Sequence, residues 1–320
     1  MRTISIPRIY FALLSVSFLW GTSFAAAKVG MQELTPLNLV ATRFILASTL
    51  MASILLCMRS RNTINRNDIP KFVMLGFTAI TSYFYIQYTG LQYTTTINAA
   101  LLIATSPIFT AVISALIGWE SIPRSRYAGI ILAFAGVSLI ITNGRFDGIF
   151  HSSTLTGDVM LLINAIVWAG FTVYGKSILQ KYRPFVAMAY IHIFGTLLLL
   201  PLVLVSSPFA PITLVTQLAQ GIHLKTVVAA LYLAALCSVY AYYVWYSGVD
   251  RIGAVKTSVF SYLNPLFAIS AGIWLMNETV TAYTVTGGLT VISGVYLTNK
   301  PTCSVSPVSS APEDKRSIHE

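Results

Sequence analysis

The fold is decided by the stretch LWGTSFAAAKVGMQELTP at residues 19–36, because its landmarks return later in the chain. Trp20, Lys28 and Pro36 reappear 148 positions further on, within VWAGFTVYGKSILQKYRP at residues 167–184. Five more landmarks return with a shift of 158 positions: Gly90, Pro107, Glu120, Gly129 and Gly136 correspond to Gly248, Pro265, Glu278, Gly287 and Gly294. The second half of the chain therefore repeats the first half.

The composition is that of a membrane protein. Of the 320 residues, 56% are hydrophobic and only 9% are charged, and the mean hydropathy is +0.74. Windows of roughly 20 apolar residues are long enough to cross the hydrocarbon core as helices. We predict such spans at 9–29, 37–58, 70–90, 96–117, 125–142, 157–176, 185–205, 226–247, 254–275 and 281–298.

Each copy of the repeat thus holds an odd number of spans, so the two copies must insert into the membrane with opposite orientation. The predicted fold class is an all-α integral membrane protein with ten transmembrane helices in two inverted-topology five-helix repeats. Repeat 1 covers residues 1–145 and repeat 2 covers 155–299, and the Ser- and Pro-rich segment 300–320 is expected to be a disordered cytoplasmic tail.

The distribution of positive charge predicts the orientation. The net charge is +10, yet only Arg145 and Lys225 fall on the side opposite the termini, while most other Lys and Arg residues fall on the terminal side. Positive loops stay in the cytoplasm. We therefore expect a multi-pass protein of the bacterial inner (cell) membrane with both termini cytoplasmic, and the basic charge needs no nucleic acid as a partner.

Two further features of the sequence exclude simpler interpretations. The N-terminal apolar run resembles a cleavable secretory signal, but the matched spacing of Trp168, Lys176 and Pro184 inside the chain favours its retention as helix 1. The three cysteines, Cys57, Cys237 and Cys303, are scattered, and they predict neither a disulfide framework nor a metal site. No cofactor is expected.

Several motifs resemble those of a known family. They are LWGTSF at 19–24, the paired segments NAALLIATSP at 98–107 and VKTSVFSYLNP at 255–265, and the matched Glu120 and Glu278. With them the chain resembles the drug/metabolite transporter superfamily, specifically its EamA-type ten-helix members, over about 290 of its 320 residues. The resemblance implies an inner-membrane carrier, often an exporter of amino acids or related metabolites, with a central cavity between the repeats.

Helices 1 and 6 carry polar and aromatic stripes with a spacing of four residues, which places each stripe on one helix face. Such a face suits a wet cavity or a partner helix better than lipid. Packing or interfacial anchoring of the two tryptophans is the alternative. The candidate substrate-binding residues here are Trp20, Phe24, Asn164 and Trp168.

Helices 3 and 8 share an aromatic cluster that suits an amphipathic organic substrate. Tyr85, Tyr242 and Tyr243 are candidate lining residues. Tyr88 and Tyr246 lie towards opposite surfaces, and we expect them in the interfacial aromatic belts.

Helices 4 and 9 contain a matched proline in mid-span, which frees a backbone carbonyl and marks the centre of many transporters. Pro107 and Pro265 are therefore candidate hinges, although a kink that only shapes packing is the alternative. The polar residues near these breaks are candidate substrate ligands: Asn98, Ser106, Tyr262 and Asn264.

Charged and titratable residues within spans need a reason to be there. Arg43 either snorkels to the surface or faces the cavity and attracts a carboxylate, and His192 is the candidate for coupling to protons. Lys28 and Lys176 can reach headgroups at opposite surfaces. All ten Asp and Glu residues fall in loops, helix ends or the tail, so we expect no carboxylate proton relay, and we expect Glu120 and Glu278 to cap the helices that follow them.

These patterns favour a secondary transporter that works by alternating access of a central aromatic cavity and exports amino acids or similar metabolites. Its partners would be a small-molecule substrate and the lipid bilayer, with a proton as the candidate coupling ion and a monomeric or weakly dimeric state. The alternatives are a broad drug or cation exporter, for which no mid-depth acid is visible, and a membrane enzyme, for which no catalytic constellation is visible. We expect the chain not to be an enzyme.

Overall fold

The computed structural model describes residues 6–58, 63–118, 124–144, 153–206 and 211–299, and the regular elements of these residues are all helical. The predicted tail and Glu120 lie outside the described residues. The long helices are α1 (Ile6–Gly30), α2 (Pro36–Cys57), α3 (Arg66–Gln92), α4 (Thr96–Leu116), α5 (Arg124–Thr142), α6 (Leu155–Lys181), α7 (Pro184–Leu204), α8 (Leu224–Ile252), α9 (Lys256–Met276) and α10 (Ala282–Asn299).

Eight of the described helices, α1–α4 and α6–α9, are long and apolar enough to cross a membrane. A ninth apolar stretch, Tyr127–Thr142 in α5, is shorter. The described residues thus form the helices of a multi-pass membrane protein, and the ten membrane crossings predicted from the sequence stay a prediction. The starts of the helices follow ordinary rules: Thr35 accepts a hydrogen bond from the backbone of Asn38, and Thr95 accepts one from the backbone of Asn98.

The helices that contain the matched prolines are both interrupted just before them. In α4 the first helical part ends at Ile103 and the second starts at Ser106. In α9 the 3₁₀ segment Val259–Leu263 precedes a helical part that starts at Asn264. The breaks predicted at Pro107 and Pro265 are therefore present. Each interruption follows because proline has no N–H to donate and its ring clashes with the carbonyl four residues earlier.

Two other helices depart from regular geometry at corresponding positions. α3 contains the π-helical segment Phe77–Ser82, and α8 contains the π-helical segment Tyr232–Tyr240. A π-helical segment widens a helix locally and is frequent at functional sites. Both segments lie directly before the aromatic residues that form the candidate site.

Helices α5 and α10 pack against each other through glycines that stand opposite one another. A Cβ added to Gly129 would lie 2.7 Å from the carbonyl oxygen of Gly294, and one added to Gly136 would lie 2.6 Å from that of Gly287. Small residues allow two helix backbones this close an approach. Since Gly287 and Gly294 are the repeat partners of Gly129 and Gly136, the pairing is reciprocal.

A second reciprocal pair joins the two halves elsewhere. A Cβ added to Gly90 on α3 would meet Leu161 of α6 at 3.4 Å, and one added to Gly248 on α8 would meet Leu13 of α1 at 2.9 Å. Leu13 and Leu161 are themselves 148 positions apart. The same type of contact is thus made once by each half against the other.

Candidate functional site

A continuous row of aromatic rings crosses the interior of the helix bundle, and we call it the aromatic row. Its neighbouring ring centroids are separated by 5.5 Å (Trp20 and Tyr242), 5.2 Å (Tyr242 and His192), 5.4 Å (His192 and Phe44), 4.7 Å (Phe44 and Phe84), 4.8 Å (Phe84 and Tyr83) and 4.9 Å (Tyr83 and Trp168). Residues from α1, α2, α3, α6, α7 and α8 therefore meet in one cluster. Tilted and edge-on contacts at these distances are favourable for aromatic rings.

The row is nearly symmetric about its middle. Phe44 and His192 are repeat partners and lie in contact at the centre, and the partners Trp20 and Trp168 lie at the two ends. The aromatic character predicted for helices 1, 3, 6 and 8 is thus gathered in one place, with α2 and α7 contributing the two central residues. Phe44 was missed by sequence reasoning because an apolar aromatic residue in an apolar span has no distinguishing signal.

Arg43 lies against the row with its guanidinium inside the protein. Its side chain is only 3% exposed; Nε donates to the Ser238 hydroxyl at 2.9 Å, and one terminal nitrogen donates to the Tyr88 hydroxyl at 2.7 Å. The guanidinium carbon lies 4.4 Å from the ring centroid of Phe84 and 5.1 Å from that of Phe44. Arg43 therefore does not snorkel to the surface.

The same contact corrects the prediction for Tyr88. We expected this side chain in an interfacial belt, but it is buried and its hydroxyl is the acceptor for Arg43. The polar partner that a buried tyrosine needs is supplied by the arginine rather than by the headgroup region. Tyr246, the repeat partner, is partly buried and stacks on Tyr242 with a centroid separation of 6.4 Å.

Arg43 has no carboxylate partner in the part of the chain that the structure describes. The ion pairs there join Lys28 to Glu278, Lys181 to Asp68 and His223 to Glu33. A buried charge without an opposite charge is unfavourable. The described residues therefore leave the charge of the guanidinium without a counter-ion.

His192 is fully buried at the centre of the row. Its Nδ1 is bonded to the carbonyl of Met188 at 2.8 Å, and its Nε2 is buried without a hydrogen-bond partner. Because Nδ1 faces a carbonyl, it carries the proton, and Nε2 is left as a free acceptor. A substrate N–H or O–H could satisfy it.

The two tryptophans at the ends of the row are each partly buried. Trp20 donates from its indole nitrogen to the carbonyl of Cys237 at 3.0 Å, which fixes its ring beside α8. Asn164 lies one turn before Trp168 and is fully buried, beside the Tyr83 hydroxyl, but both polar atoms of its amide lack a hydrogen bond within normal distance. A buried amide in this state is an expected contact point for a ligand or water.

The residues beside the proline breaks differ in their hydrogen bonds and in their burial. Ser106 donates to the carbonyl of Ile103 at 2.6 Å, so it satisfies the interrupted backbone of its own helix. The side-chain oxygen of Asn264 is buried and unpaired, which leaves it available, and Tyr262 is half-buried against the core. The amide nitrogen of Asn98 lies 3.4 Å from a carboxylate oxygen of Asp158.

Three other predicted lining residues are not part of the row. Tyr243 is 37% exposed and makes an edge contact with Phe185 at 5.8 Å. Phe24 is buried in the hydrophobic core, and Tyr85 packs against that core from a half-buried position. Their spacing in the sequence was consistent with positions facing a cavity. The orientation of each helix about its own axis decides which neighbours these side chains contact, and spacing alone does not give that orientation.

One polar cluster at the start of α6 was missed. Asp158 is fully buried, accepts a hydrogen bond from the Thr94 hydroxyl at 2.5 Å and lies 3.4 and 3.5 Å from the amide nitrogen of Asn98. The sequence placed Asp158 at a helix end, where carboxylates are usually solvated. The close packing of Gly157 against Gly90 leaves little room for water at the start of α6.

Glu278 also behaves differently from the prediction. One carboxylate oxygen accepts from Lys28 at 3.1 Å and from the backbone N–H of Thr96 at 2.7 Å, and the other accepts from the N–H of Ile97 at 3.1 Å. It therefore caps α4 of the other half instead of the helix that follows it. Lys28 accordingly pairs with this acid rather than reaching a headgroup.

Further polar contacts between the halves lie in the connections. Glu33 accepts from the backbone N–H of His223 at 2.9 Å and also meets its ring, and Asn38 donates to Gln217 at 2.6 Å. The Thr226 side chain and the His223 N–H hold the pKa of Glu33 below its ordinary value.

Another contact between the halves lies near the C-terminal end of α6. Asp68, at the start of α3, accepts hydrogen bonds from Lys181 and Tyr182, both at 2.5 Å.

Similarities to known proteins agree with this architecture. Residues 7–142 and 155–300 match the model of the EamA-like transporter family. An uncharacterized transporter of Archaeoglobus fulgidus is 37% identical over 287 residues, which cover 89% of this chain and 96% of the relative. A probable amino-acid metabolite efflux pump of Salmonella typhimurium is 25% identical, and the match covers 90% of this chain and 93% of the pump.

A solved crystal structure superposes with a TM-score of 0.60 at 17% sequence identity. The superposition covers 92% of this chain and 96% of the other chain. At this level of identity the similarity concerns the fold alone.

Proposed function

Because the chain belongs to the EamA-like transporter family, we propose that it is an inner-membrane secondary transporter that exports amino acids or related small amphipathic metabolites. Family membership makes it a multi-pass membrane transporter. The proposed substrate class is supported by the similarity to a probable amino-acid metabolite efflux pump.

The observation that carries this proposal is the position of Arg43. Its buried guanidinium donates hydrogen bonds to the hydroxyls of Tyr88 and Ser238, and neither of these residues supplies a negative charge. A substrate carboxylate would supply the missing charge through a charge-assisted hydrogen bond. The aromatic row would hold the apolar part of the same molecule, so an amphipathic carboxylate fits the site best.

Three buried polar groups without a hydrogen bond would hold the rest of the substrate; one lies on the row, one lies one helical turn from Trp168, and one lies beside the proline break of α9. They are Nε2 of His192, the amide of Asn164 and the side-chain oxygen of Asn264. An amino group could donate to His192 or to Asn264. The proposed substrate-binding set centres on Trp20, Arg43, Asn164, Trp168, Tyr242 and Asn264, and His192 is kept as a candidate for proton coupling.

The reciprocal contacts between the halves support an inverted repeat and hence alternating access. Glycine pairs join α5 to α10, and equivalent glycine–leucine contacts join α3 to α6 and α8 to α1. Two similar halves related in this way can exchange conformations by rocking. The interruptions before Pro107 and Pro265 would serve as hinges for this motion.

Ion pairs between the halves would act as gates. Lys28 and Glu278 join α1 to the connection between α9 and α10, and Asp68 and Lys181 join the start of α3 to the end of α6. The two pairs lie at opposite ends of the bundle, since they lie at the end of α1 and at the end of α6, which follow opposite directions in the predicted topology. Opening of one gate at a time is the behaviour that alternating access requires.

The rival function, export of cationic drugs, is less compatible with the site. A cation would need an acidic side chain on the aromatic row, but the charged residue that the described part of the chain places there is Arg43. Its positive charge would repel a cationic substrate.

Transport is tested with purified protein in proteoliposomes. Vesicles are loaded with single unlabelled amino acids, and accumulation of the same radiolabelled amino acid by exchange is measured against protein-free vesicles. We expect exchange with a subset of amino acids that carry apolar side chains. Folded protein that exchanges neither these amino acids nor their carboxylate metabolites contradicts the proposal.

A further inference from the structure

We propose that Asp158, Thr94 and Asn98 form a proton-binding site whose occupancy is linked to the opening of one end of the transporter. This inference rests on the alternating access proposed above, and it assigns the coupling role to a carboxylate that the aromatic row does not include. The ligand is a proton from the water at the end of the bundle where α3, α4 and α6 meet.

Asp158 is buried without a counter-ion among the described residues. The residue is 0% exposed, and the ion pairs of the described residues do not include it. An ionised carboxylate without a cation is unfavourable in such a place. An aspartic acid at the first turn of a helix is usually solvated and needs only the helix dipole, so full burial calls for another explanation.

The neighbours of Asp158 can serve both of its protonation states. A hydroxyl such as that of Thr94 donates or accepts, and the amide of Asn98 offers N–H donors or a carbonyl oxygen, depending on its orientation. At the distances present, an ionised carboxylate would accept hydrogen bonds from both of these side chains. The protonated acid can donate to the Thr94 hydroxyl oxygen, or to the amide oxygen of Asn98 once that amide has turned, so the site offers a partner in both protonation states.

Among the described residues packed around the start of α6, no titratable side chain is bonded to Asp158. The groups that interact with Asp158 among the described residues are Thr94, Asn98 and Thr154, and none of them is charged. Of the nearby tyrosines, Tyr88 of α3 accepts a hydrogen bond from Arg43, and Tyr93, which follows α3, is 51% exposed. No charged side chain among these groups therefore offsets the change in charge when Asp158 gains or loses a proton.

His192 is less suited to carry the proton. A positive charge on its ring would be added close to the Arg43 guanidinium, since both groups lie against the ring of Phe44, at 5.4 and 5.1 Å. Two like charges in a dry site repel strongly. Protonation of Asp158 removes a buried charge, whereas protonation of His192 would create one.

The link to opening comes from the segment at the start of α4. Its side chains Thr94 and Asn98 bind Asp158, while its backbone N–H groups at Thr96 and Ile97 bind Glu278. Both acids belong to the second half of the chain, and both accept hydrogen bonds from residues 94–98 of the first half. Separation of the halves at this end would release both acids.

Two backbones seal Asp158 from water in the present conformation. A Cβ added to Gly157 would lie 2.5 Å from the carbonyl oxygen of Gly90 and 2.9 Å from Thr94 Cβ. When this contact opens, the carboxylate is hydrated and ionised; when it closes, the carboxylate takes up a proton from the same water. Acid solution on this side therefore favours the closed end, by reciprocal linkage.

The test uses the full chain in liposomes and needs no transport substrate. Infrared difference spectra recorded during a pH titration report the C=O stretch of protonated carboxyl groups. We expect a band that appears on acidification, is lost in Asp158→Asn and is retained in Asp250→Asn, a matched control at an exposed carboxylate of α8. Thr94→Val provides a second variant that keeps the carboxyl, and its band should titrate with a shifted midpoint.

The link to opening is measured in parallel by electron spin resonance. Spin labels at Tyr93 and Val159, both exposed and on either side of the seal, are attached in a background without the native cysteines. Acidification should shift the population towards the short distance, and Asp158→Asn should make the population independent of pH.

Four results overturn the proposal. They are survival of this same infrared band in Asp158→Asn, an unchanged midpoint in Thr94→Val, a pH-independent distance in the otherwise native chain, and a response to Na⁺ at constant pH in place of the response to pH. Because these measurements use no substrate, their failure leaves the proposed transport function standing. Absence of exchange in the proteoliposome assay, in turn, does not alter them.

Discussion

Ser48 on α2 and Thr196 on α7 are 148 positions apart, and their hydroxyls are hydrogen-bonded at 2.8 Å. They are repeat partners, so a residue of one half meets its own counterpart in the other half. Phe44 and His192, one turn away on the same helices, do the same. Equivalent residues contact each other where a twofold axis relates two copies. The aromatic row is centred on these two pairs.

The direction of the Ser48–Thr196 bond leads to an unequal effect of the two truncations. Thr196 donates its one hydroxyl proton to the carbonyl of Phe44 at 3.1 Å, so Ser48 must be the donor to Thr196. Thr196→Val strands the buried Ser48 hydroxyl, and we expect it to lower the free energy of unfolding by about 1–3 kcal/mol. Ser48→Ala should have a smaller effect. Thermal unfolding in detergent checks the order, with the exposed Ser53→Ala as control; the reverse order contradicts this assignment.

The contact between α5 and α10 has little room for added atoms. Gly129→Ala would bring a methyl group to 2.7 Å from the Gly294 carbonyl, and we expect destabilisation of about 1–3 kcal/mol from overpacking. Gly170→Ala is the matched control, because no atom lies within 4 Å of its added Cβ. There the change should be neutral or stabilising by up to about 1 kcal/mol, the helix preference of alanine. Equal midpoints of unfolding for the two variants would argue against the close backbone packing.

Removal of the ion pair at the α1 end should favour opening of that end. Lys28→Met leaves Glu278 without its cation, so the closed arrangement loses a charge-assisted bond while the backbone bonds to Thr96 and Ile97 remain. We expect faster thiol labelling of a cysteine placed at Met276 in the neighbouring pocket of about 360 Å³. Lys225→Met, at an exposed lysine, is the control. Unchanged labelling in Lys28→Met would remove this pair from the gate.

The contact of Glu33 with the start of α8 should depend on pH in one direction. Its pKa is lowered by the Thr226 side chain and by the N–H of His223, so this contact contributes stability above the ordinary value of 4.5 and loses it as the pH falls through the lower value in the folded protein. Native protein should therefore be more stable than Glu33→Gln at neutral pH and converge with it in strong acid. A difference that grows on acidification would have the wrong sign.

The sequence predicted the helices, the proline breaks and the aromatic character of the centre well, because hydropathy and the two constant shifts are carried by many residues. It could not predict which acids are buried. Asp158 and Glu278 both lie at helix ends in the sequence, and their burial follows from contacts with residues 94–98 of the other half. Such contacts depend on how the halves dock, which local spacing does not encode.

Arg43 illustrates the same limit. Its depth within α2 was consistent with snorkelling or with an interior position, and the choice depends on Tyr88 and Ser238, which lie 45 and 195 positions away. Tyr88 was expected in a belt for the equivalent reason. The unmatched position in the repeat, Arg43 opposite Ile191, was nevertheless visible in the sequence and marks the one charge on the aromatic row within the described residues.

Binding of a metabolite carboxylate by Arg43 is tested by amino-acid exchange in proteoliposomes that contain Arg43→Gln. Arg43→Lys, which keeps the charge, and Lys71→Gln, which removes an exposed cation from α3, are measured beside it. We predict at least a tenfold loss of exchange in Arg43→Gln, about 1.4 kcal/mol or more of binding, with partial activity in Arg43→Lys, native activity in Lys71→Gln and no loss of thermal stability. Native exchange by folded Arg43→Gln would contradict the account.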